Sequence, residues 1–283
     1  MTREINLRFI TPLFSHGATD APEIRPASIR GQFHFWFRML GGNIEQERRI
    51  FGGIKQTNAS SQLMPNHNET IASKVVVRVT SMRTGTPKEL PTLPHKKTNA
   101  PRMAFIAGAS CRVIISDRLG GLTSEDENAL NRAIDAWLLM GTLGYRSTRA
   151  AGSFTWEDKS FPMPSTPVEY QDKCLEVLRA ARSKVAVLGK KYGDAETARR
   201  DVSDSLSVEE YNYPLGKIKN GRKTSPLRYR IVKFDKSYQI VAFWDGRKEV
   251  TGNSEADFQG VVKLLKQRKP EQIGKQLAEA FNL

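Results

Sequence analysis

Between Glu4 and Trp156 the spacing of apolar residues switches between the period of a strand and the period of a helix, in an order that few folds accept. Residues 4–10, EINLRFI, set Ile5, Leu7 and Phe9 against polar neighbours, as in a half-buried strand. Thr11 and Pro12 end it. The polar stretch 13–26, with Gly17, Pro22 and Pro26, reads as a long surface loop. Ser28 is a candidate N-cap for the next segment, where Ile29, Phe33, Trp36, Phe37 and Leu40 fall on one face of a helix. Arg30, His34 and Arg38 form an i, i+4 ladder along its edge. Phe35 and Met39 lie round the back, so a second surface is expected to cover them.

Gly41 and Gly42 stop this helix, and EQERRIFGG reads as a short charged turn. Residues 55–70 are polar and aperiodic, which predicts a mobile loop. KVVVRVTSM, from Lys74, is a strand by its alternating valines. Residues 83–102 hold prolines and the basic run HKKTNAPR, which predicts either a flexible basic arm or a solvated loop. A further strand is expected at Cys111 to Ser116. Ser124 and Glu127 make a capping-box pattern ahead of Leu130, Ala133, Ile134, Trp137 and Leu138 at helical spacing. GTLGYRSTRAAGSFTW then leads into a short strand at Ser153 to Trp156. Strand, helix, strand, strand, helix, strand is the order of a ferredoxin-like or RRM-like α+β domain, with an antiparallel sheet and both helices on one face.

FPMPSTP, residues 161–167, reads as a linker, which places the domain boundaries at 1–160 and 161–283. The second half opens on an expected long helix from Val168 to about Lys190, followed by a polar stretch from Asp194 to Glu210 with little sign of a core. Two strands, LRYRIVKF and YQIVAFW, come next. Ser254 caps a helix bearing Phe258, Val261, Val262 and Leu265, and Pro270 opens a last one. The second half is therefore another α+β unit.

Charge narrows the function. The chain carries 44 Lys plus Arg against 30 Asp plus Glu, a formal net charge of +14, and so sets up a field that favours polyanions, nucleic acid first among them. Cys111 and Cys174 are the only cysteines, which gives neither a disulfide framework nor a zinc pair and suits a reducing compartment. The residues MTREINLRFI lack the apolar stretch of a secretory signal and no apolar run approaches bilayer length, so the expected location is the cytoplasm.

Signatures of phosphate loops, zinc proteases and serine hydrolases are missing, and no cofactor or metal is expected. Of four histidines, His16 and His34 fall on and just before the basic helix; they are the acid–base pair that metal-free RNA cleavage would need. Asp20 and Glu23 share the loop of His16, where turn formation and solvation account for them. Binding chemistry is better supported. Gly141, Gly144 and Gly152 allow a phosphate chain close to the backbone, with amides free to donate. Arg146 and Arg149 supply planar forks, with Ser147 between them. Tyr145 either stacks on a base or plugs the core. The run from Pro214 to Arg230 adds Lys217, Lys219 and Arg222 as further candidate RNA contacts.

These stretches also resemble a known family. ITPLF, IRPASIRGQFHFWFR, RRIFGG, GYRSTRAAGSF and SPLRYR, spread over residues 10–230, are similar to the RAMP superfamily of CRISPR effector subunits, and within it to the first Cmr subunit type of type III-B complexes. The resemblance implies two ferredoxin-like (RRM-like) domains in tandem. It also implies a structural, non-catalytic place near the 3′ end of the CRISPR RNA, with CRISPR RNA, target RNA and other Cmr-type subunits as partners. Some RAMP proteins are processing endoribonucleases, and a protein-only scaffold is a further alternative. By motif position, the implied RNA contacts are Arg25, Arg30, His34 and Arg38 on the helix and Arg146, Ser147, Arg149 and Gly152 in the glycine loop. His34, and the pair Ala150-Ala151, stand where the family favours basic side chains.

Overall fold

The computed structural model describes residues 1–19, 21–55, 69–96, 101–179, 181–205, 215, 224–267 and 271–283. In chain order the first half contains β1 (Thr2–Phe9), α1 (Pro26–Met39), α2 (Ile44–Phe51), β2 (Gly53–Lys55), β3 (Glu69–Ile71), β4 (Val75–Arg83), β5 (Lys88–Pro91), β6 (Pro101–Ala104), β7 (Ser110–Asp117), α3 (Ser124–Met140) and β8 (Phe154–Glu157). The second contains α4 (Pro167–Leu178), β9 (Lys184–Val187), α5 (Ala195–Ser205), β10 (Leu227–Phe234), β11 (Ser237–Trp244), α6 (Lys248–Thr251), α7 (Glu255–Lys266) and α8 (Glu271–Phe281).

Strands β4, β7, β1 and β8 form one antiparallel sheet in that order, the ferredoxin-like arrangement that the alternating periods predict. In β1, Arg3, Ile5, Leu7 and Phe9 are buried while Thr2, Glu4, Asn6 and Arg8 face out. The buried side packs on α1 and α3, where the Phe33 and Trp137 rings meet edge to face at 5.4 Å. The outward side, continued by Arg112, Ile114, Arg78, Thr155 and Glu157 through the registered pairs, carries no aromatic among the described residues. It offers no stacking platform of the RRM kind.

The second sheet, β10-β11-β9, is buried on both faces. Leu227, Tyr229, Ile231, Ile240, Ala242 and Trp244 face α5, α7 and α8. Val185, Val232, Phe234, Val241 and Phe243 join the core built on α1 and α3, with Trp36 and Phe243 at 5.2 Å. The layers therefore run sheet, helices, sheet, helices. Met39 is 2% exposed and Phe35 lies beneath the guanidinium groups of Arg228 and Arg247, so the surface expected behind α1 is the second half of this chain. Arg230 bridges the layers: buried without a carboxylate, it donates to the carbonyls of Leu138 and Phe154 and lies 4.7 Å from the Phe154 ring centroid.

Several local expectations are corrected. Pro26, whose fixed φ suits the first helical position, starts α1 one turn early, so Arg25 is the N-cap and Ser28 lies inside. Thr123, rather than Ser124, caps α3 by accepting from the Asp126 amide. Within EQERRIFGG the residues up to Phe51 are helical, because the Asn43 side chain caps α2. The helix expected to reach Lys190 stops at Leu178, and Lys184–Val187 becomes β9, where β-branched residues find a partner in β11. The Gln171 side chain serves the free edge of β9, accepting from the Val187 amide at 2.7 Å and donating to the Val185 carbonyl at 3.2 Å. The polar stretch after Asp194 contains α5, which buries Ala198, Arg199 and Val202. The proline-rich arm contains a paired hairpin, β5 with β6. The expected loop at 55–70 lies almost wholly outside the described residues. Both cysteines are buried and free, and among the described residues no helix is long and apolar enough to cross a membrane.

Removing Arg230 would leave two interior carbonyls without donors. Arg230→Ala is expected to lower unfolding free energy by at least about 2 kcal/mol, read from the urea midpoint at constant slope; an unchanged midpoint would refute the bridging role.

Candidate nucleic-acid interface

The ladder on α1 faces α2. The Arg30 Nη2 donates to the Phe51 carbonyl at 2.6 Å. His34 Nδ1 lies 2.5 Å from Glu47 Oε1, and its ring rests 4.1 Å from that of Phe51. Arg38 Nε donates to both Glu47 oxygens, at 2.9 and 2.8 Å. Burial pushes the Glu47 carboxyl up, but the bonds from Arg38 and His34 outweigh it and hold it below the ordinary glutamate range. Arg30, His34 and Arg38 are thus all engaged within the fold, while Arg38 remains 58% exposed, open on one side to solvent. Arg25, half-buried at the helix start, has no ion pair among the described residues.

The loop between α3 and β8 is built differently. Its backbone is stitched to the segment after β1: Tyr145 N donates to the Phe14 carbonyl at 2.7 Å, Gly152 N to Pro12 at 2.9 Å and Leu143 N to Gly152 at 3.1 Å. The Thr11 hydroxyl donates to the Ala150 carbonyl and accepts from the Ser153 amide, both at 2.9 Å. On its other side, Tyr229 N of β10 donates to the Thr148 carbonyl at 3.1 Å. The glycine amides expected to serve a phosphate are therefore partly committed: Gly141 N reaches Trp137 and Gly152 N reaches Pro12. Gly152 is required by conformation, with φ at +65° and a Cβ position only 1.9 Å from the Leu143 oxygen. Arg146 and Ala150, neither of them glycine, also sit at φ of +60° and +61°, strain of the kind that collects at functional sites. Ala150 and Ala151 are fully buried, which explains why neither is basic.

Three arginines gather at this scaffold, Arg102 exposed and Arg146 and Arg149 half-buried. Tyr145 does not plug the core: it is 37% exposed, and the guanidinium carbons of Arg102 and Arg146 each lie 5.1 Å from its ring centroid. Arg102, Arg146 and Arg149 have no ion pair or side-chain hydrogen bond among the described residues, and the Arg146 Nε is buried without a partner. Burial, with repulsion from Arg146, pushes the Arg149 guanidinium down to about 10, so it stays charged at neutral pH with no ion-pair partner among the described residues. Ser147 is half-buried beside them, its carbonyl held by Thr142 at 2.9 Å. The arrangement offers an aromatic face and several unspent planar donors, the combination that single-stranded nucleic acid uses.

Arg102 is a member that the sequence reading did not assign. It arrives on β6, from the stretch read as an arm, and the basic run there was its one signal. His95, from the same stretch, donates or accepts at the Ser203 hydroxyl, 2.8 Å away. Burial above all, together with Arg149, Lys96 and Arg146, holds its pKa below the ordinary value despite Asp204. Lys217, Lys219 and Arg222 lie outside the described residues, as does Asp20. Among the described residues no group of three or more His, Cys, Asp or Glu side chains is placed to hold a metal ion.

The fold and site define an antiparallel α+β protein with helices between two sheets and a strained, arginine-bearing glycine loop beside the sheet of the second half. A sequence profile of the RAMP superfamily matches residues 6–155. That is more than half of the 283 residues, and the chain belongs to this superfamily. The crystal structure of apo Cmr1 from Pyrococcus furiosus is similar at TM-score 0.58 and 17% identity, covering 86% of this chain and 87% of that one. A chain of the Type III-B Cmr-beta cryo-EM structure bound to cognate target RNA is similar at TM-score 0.52 and 10% identity, covering 92% and 99%. At these identities the likeness establishes the fold. Among curated proteins none matches.

The loop geometry predicts that Gly152→Ala, forced against the Leu143 oxygen at positive φ, destabilises the protein by about 3 kcal/mol or more in thermal unfolding. Gly189→Ala, where a Cβ meets nothing within 4 Å, is the control. Equal melting of the two variants would contradict the account.

Proposed function

We propose that this chain is an RNA-binding structural subunit of a type III-B CRISPR effector complex, working in the cytoplasm for antiviral defence. In this reading it sits near the 3′ end of the CRISPR RNA, holds guide and target RNA together with neighbouring Cmr-type subunits, and divides into domains at 1–160 and 161–283. Membership of the RAMP superfamily and the fold shared with Cmr1 and with a chain of the Cmr-beta complex support the assignment. The observation that carries it is Tyr145 with two guanidinium groups at its ring, Arg149 nearby, and no ion pair to any of the three arginines among the described residues.

RNA lies along the loop in this reading, phosphates on Arg146, Arg149 and Arg102 and one base on Tyr145. Of the helix ladder, Arg38 and Arg25 remain able to reach RNA, while Arg30 and His34 shape the surface by holding α2. Lys217, Lys219 and Arg222 are taken as additional phosphate contacts.

The test is RNA binding by the full chain as a function of salt. Replacing Arg146 and Arg149 together by Ala is expected to reduce the slope of log affinity against log salt by about 1.4, from about 0.7 per phosphate contact on a single strand. An unchanged slope and affinity would overturn the assignment of the loop. Cleavage of CRISPR repeat RNA by the purified chain, lost in His34→Ala, would overturn the structural reading.

A further inference from the structure

A second guanidinium in the molecule is buried without an acceptor, and it lies in a cleft apart from the glycine loop. Arg228, near the start of β10, has its guanidinium carbon 4.2 Å from the Phe35 ring centroid on α1. It makes no hydrogen bond or ion pair among the described residues, and its Nε is wholly shielded from solvent. The nearby carboxylate attracts Arg228 through space but makes its hydrogen bonds elsewhere: Asp245 receives Arg247 at both oxygens, Nε at 2.9 Å and Nη2 at 2.8 Å. Phe35, Pro226, Arg228, Asp245, Glu249 and Gly252 line a cleft of about 490 Å³ between α1 of the first half and the β10–α6 region of the second.

Stapling the two halves through Phe35 accounts for the position of Arg228 but not for its chemistry. A methionine or leucine would fill the same space without burying an unpaired donor, which costs about 1–3 kcal/mol. Arg230, two residues on and facing the same helix layer, has two carbonyls bound to it; Arg228 has none. A cation kept in this state is suited to an anion that arrives from outside.

We propose that this cleft is a second RNA site, which takes one nucleotide of a single strand with its phosphate on the Arg228 fork and its base over the guanidinium–Phe35 stack. The proposal rests on the reading that the chain binds RNA. Three observations favour a nucleotide over an acidic peptide. A guanidinium lying on an aromatic ring presents a flat face, which suits a base. The cleft volume falls in the range of small-ligand sites. The amide of Tyr229, next to Arg228, is bonded to Thr148 of the glycine loop, so a strand lying on that loop is led towards the cleft.

The test uses the full chain and a fluorescein-labelled single-stranded uridine oligoribonucleotide, read by anisotropy. Arg228→Gln is expected to weaken binding about tenfold, with Arg228→Lys restoring only part because an ammonium lacks the planar fork. A measurement on the unaltered chain guards against misfolding of the variants. Modification of arginines by phenylglyoxal, mapped by mass spectrometry, should show Arg228 protected by the oligonucleotide. Unchanged affinity in Arg228→Gln, or no protection of Arg228 while Arg146 and Arg149 are protected, would overturn this site and leave the loop reading standing. No binding by the unaltered chain would overturn both. Protection of Arg228 by a glutamate-rich peptide but not by RNA would make the cleft a protein-docking site and refute the proposal.

Discussion

Helices α1 and α3 are apolar on two opposite sides, and the rest of the architecture follows from having to cover both. A single sheet can bury one side; Ile5, Leu7 and Phe9 of β1 do so. The other side, with Trp36, Met39 and the last turns of α3, is covered by Val241, Phe243 and their neighbours on the second sheet. That sheet then exposes its own far face and needs α5, α7 and α8 behind it. Hydrophobic burial on this scale fixes the layers but is indifferent to small slides between them. Arg230 supplies direction, because its donors must meet the Leu138 and Phe154 carbonyls.

The same constraint places the candidate RNA surface. With both helices enclosed, basic residues on α1 are confined to the side that meets α2, where Glu47 and the Phe51 carbonyl engage them. The outward face of the first sheet carries no aromatic ring among the described residues. What remains is the junction between the halves, where the loop after α3 is bonded on one side to Pro12 and Phe14 and on the other to β10. A loop held at so many points keeps Arg146 and Ala150 in left-handed backbone conformations and keeps Tyr145 at the surface. Preorganisation of this kind lowers the ordering cost of binding.

Much of this was legible in the sequence where periodicity was strong. The order of the elements that build the first sheet and its helices, β1, α1, β4, β7, α3 and β8, the helical face of α3 and the covered back of α1 follow from apolar spacing alone. Failures fall where tertiary contacts override local pattern. The segment Lys184–Val187 carries helical spacing but is a strand because β11 is there to pair with it. EQERRIFGG looked like a turn because its charged residues hide a helix that Asn43 caps. The basic ladder on α1 was legible as a ladder, yet nothing local says that Glu47 stands opposite it. Arg102 joins Tyr145 only through the β5–β6 hairpin, a long-range outcome that a proline-rich stretch does not advertise.

The central claim is that the exposed ring of Tyr145, with its flanking arginines, is where RNA is held. Photocrosslinking of thiouridine-substituted CRISPR RNA to the full chain in its complex, with adducts mapped by mass spectrometry, tests it most directly. The account predicts that the main adduct falls on the peptide carrying Tyr145. Adducts confined to the outward face of the first sheet, with none on that peptide, would contradict it.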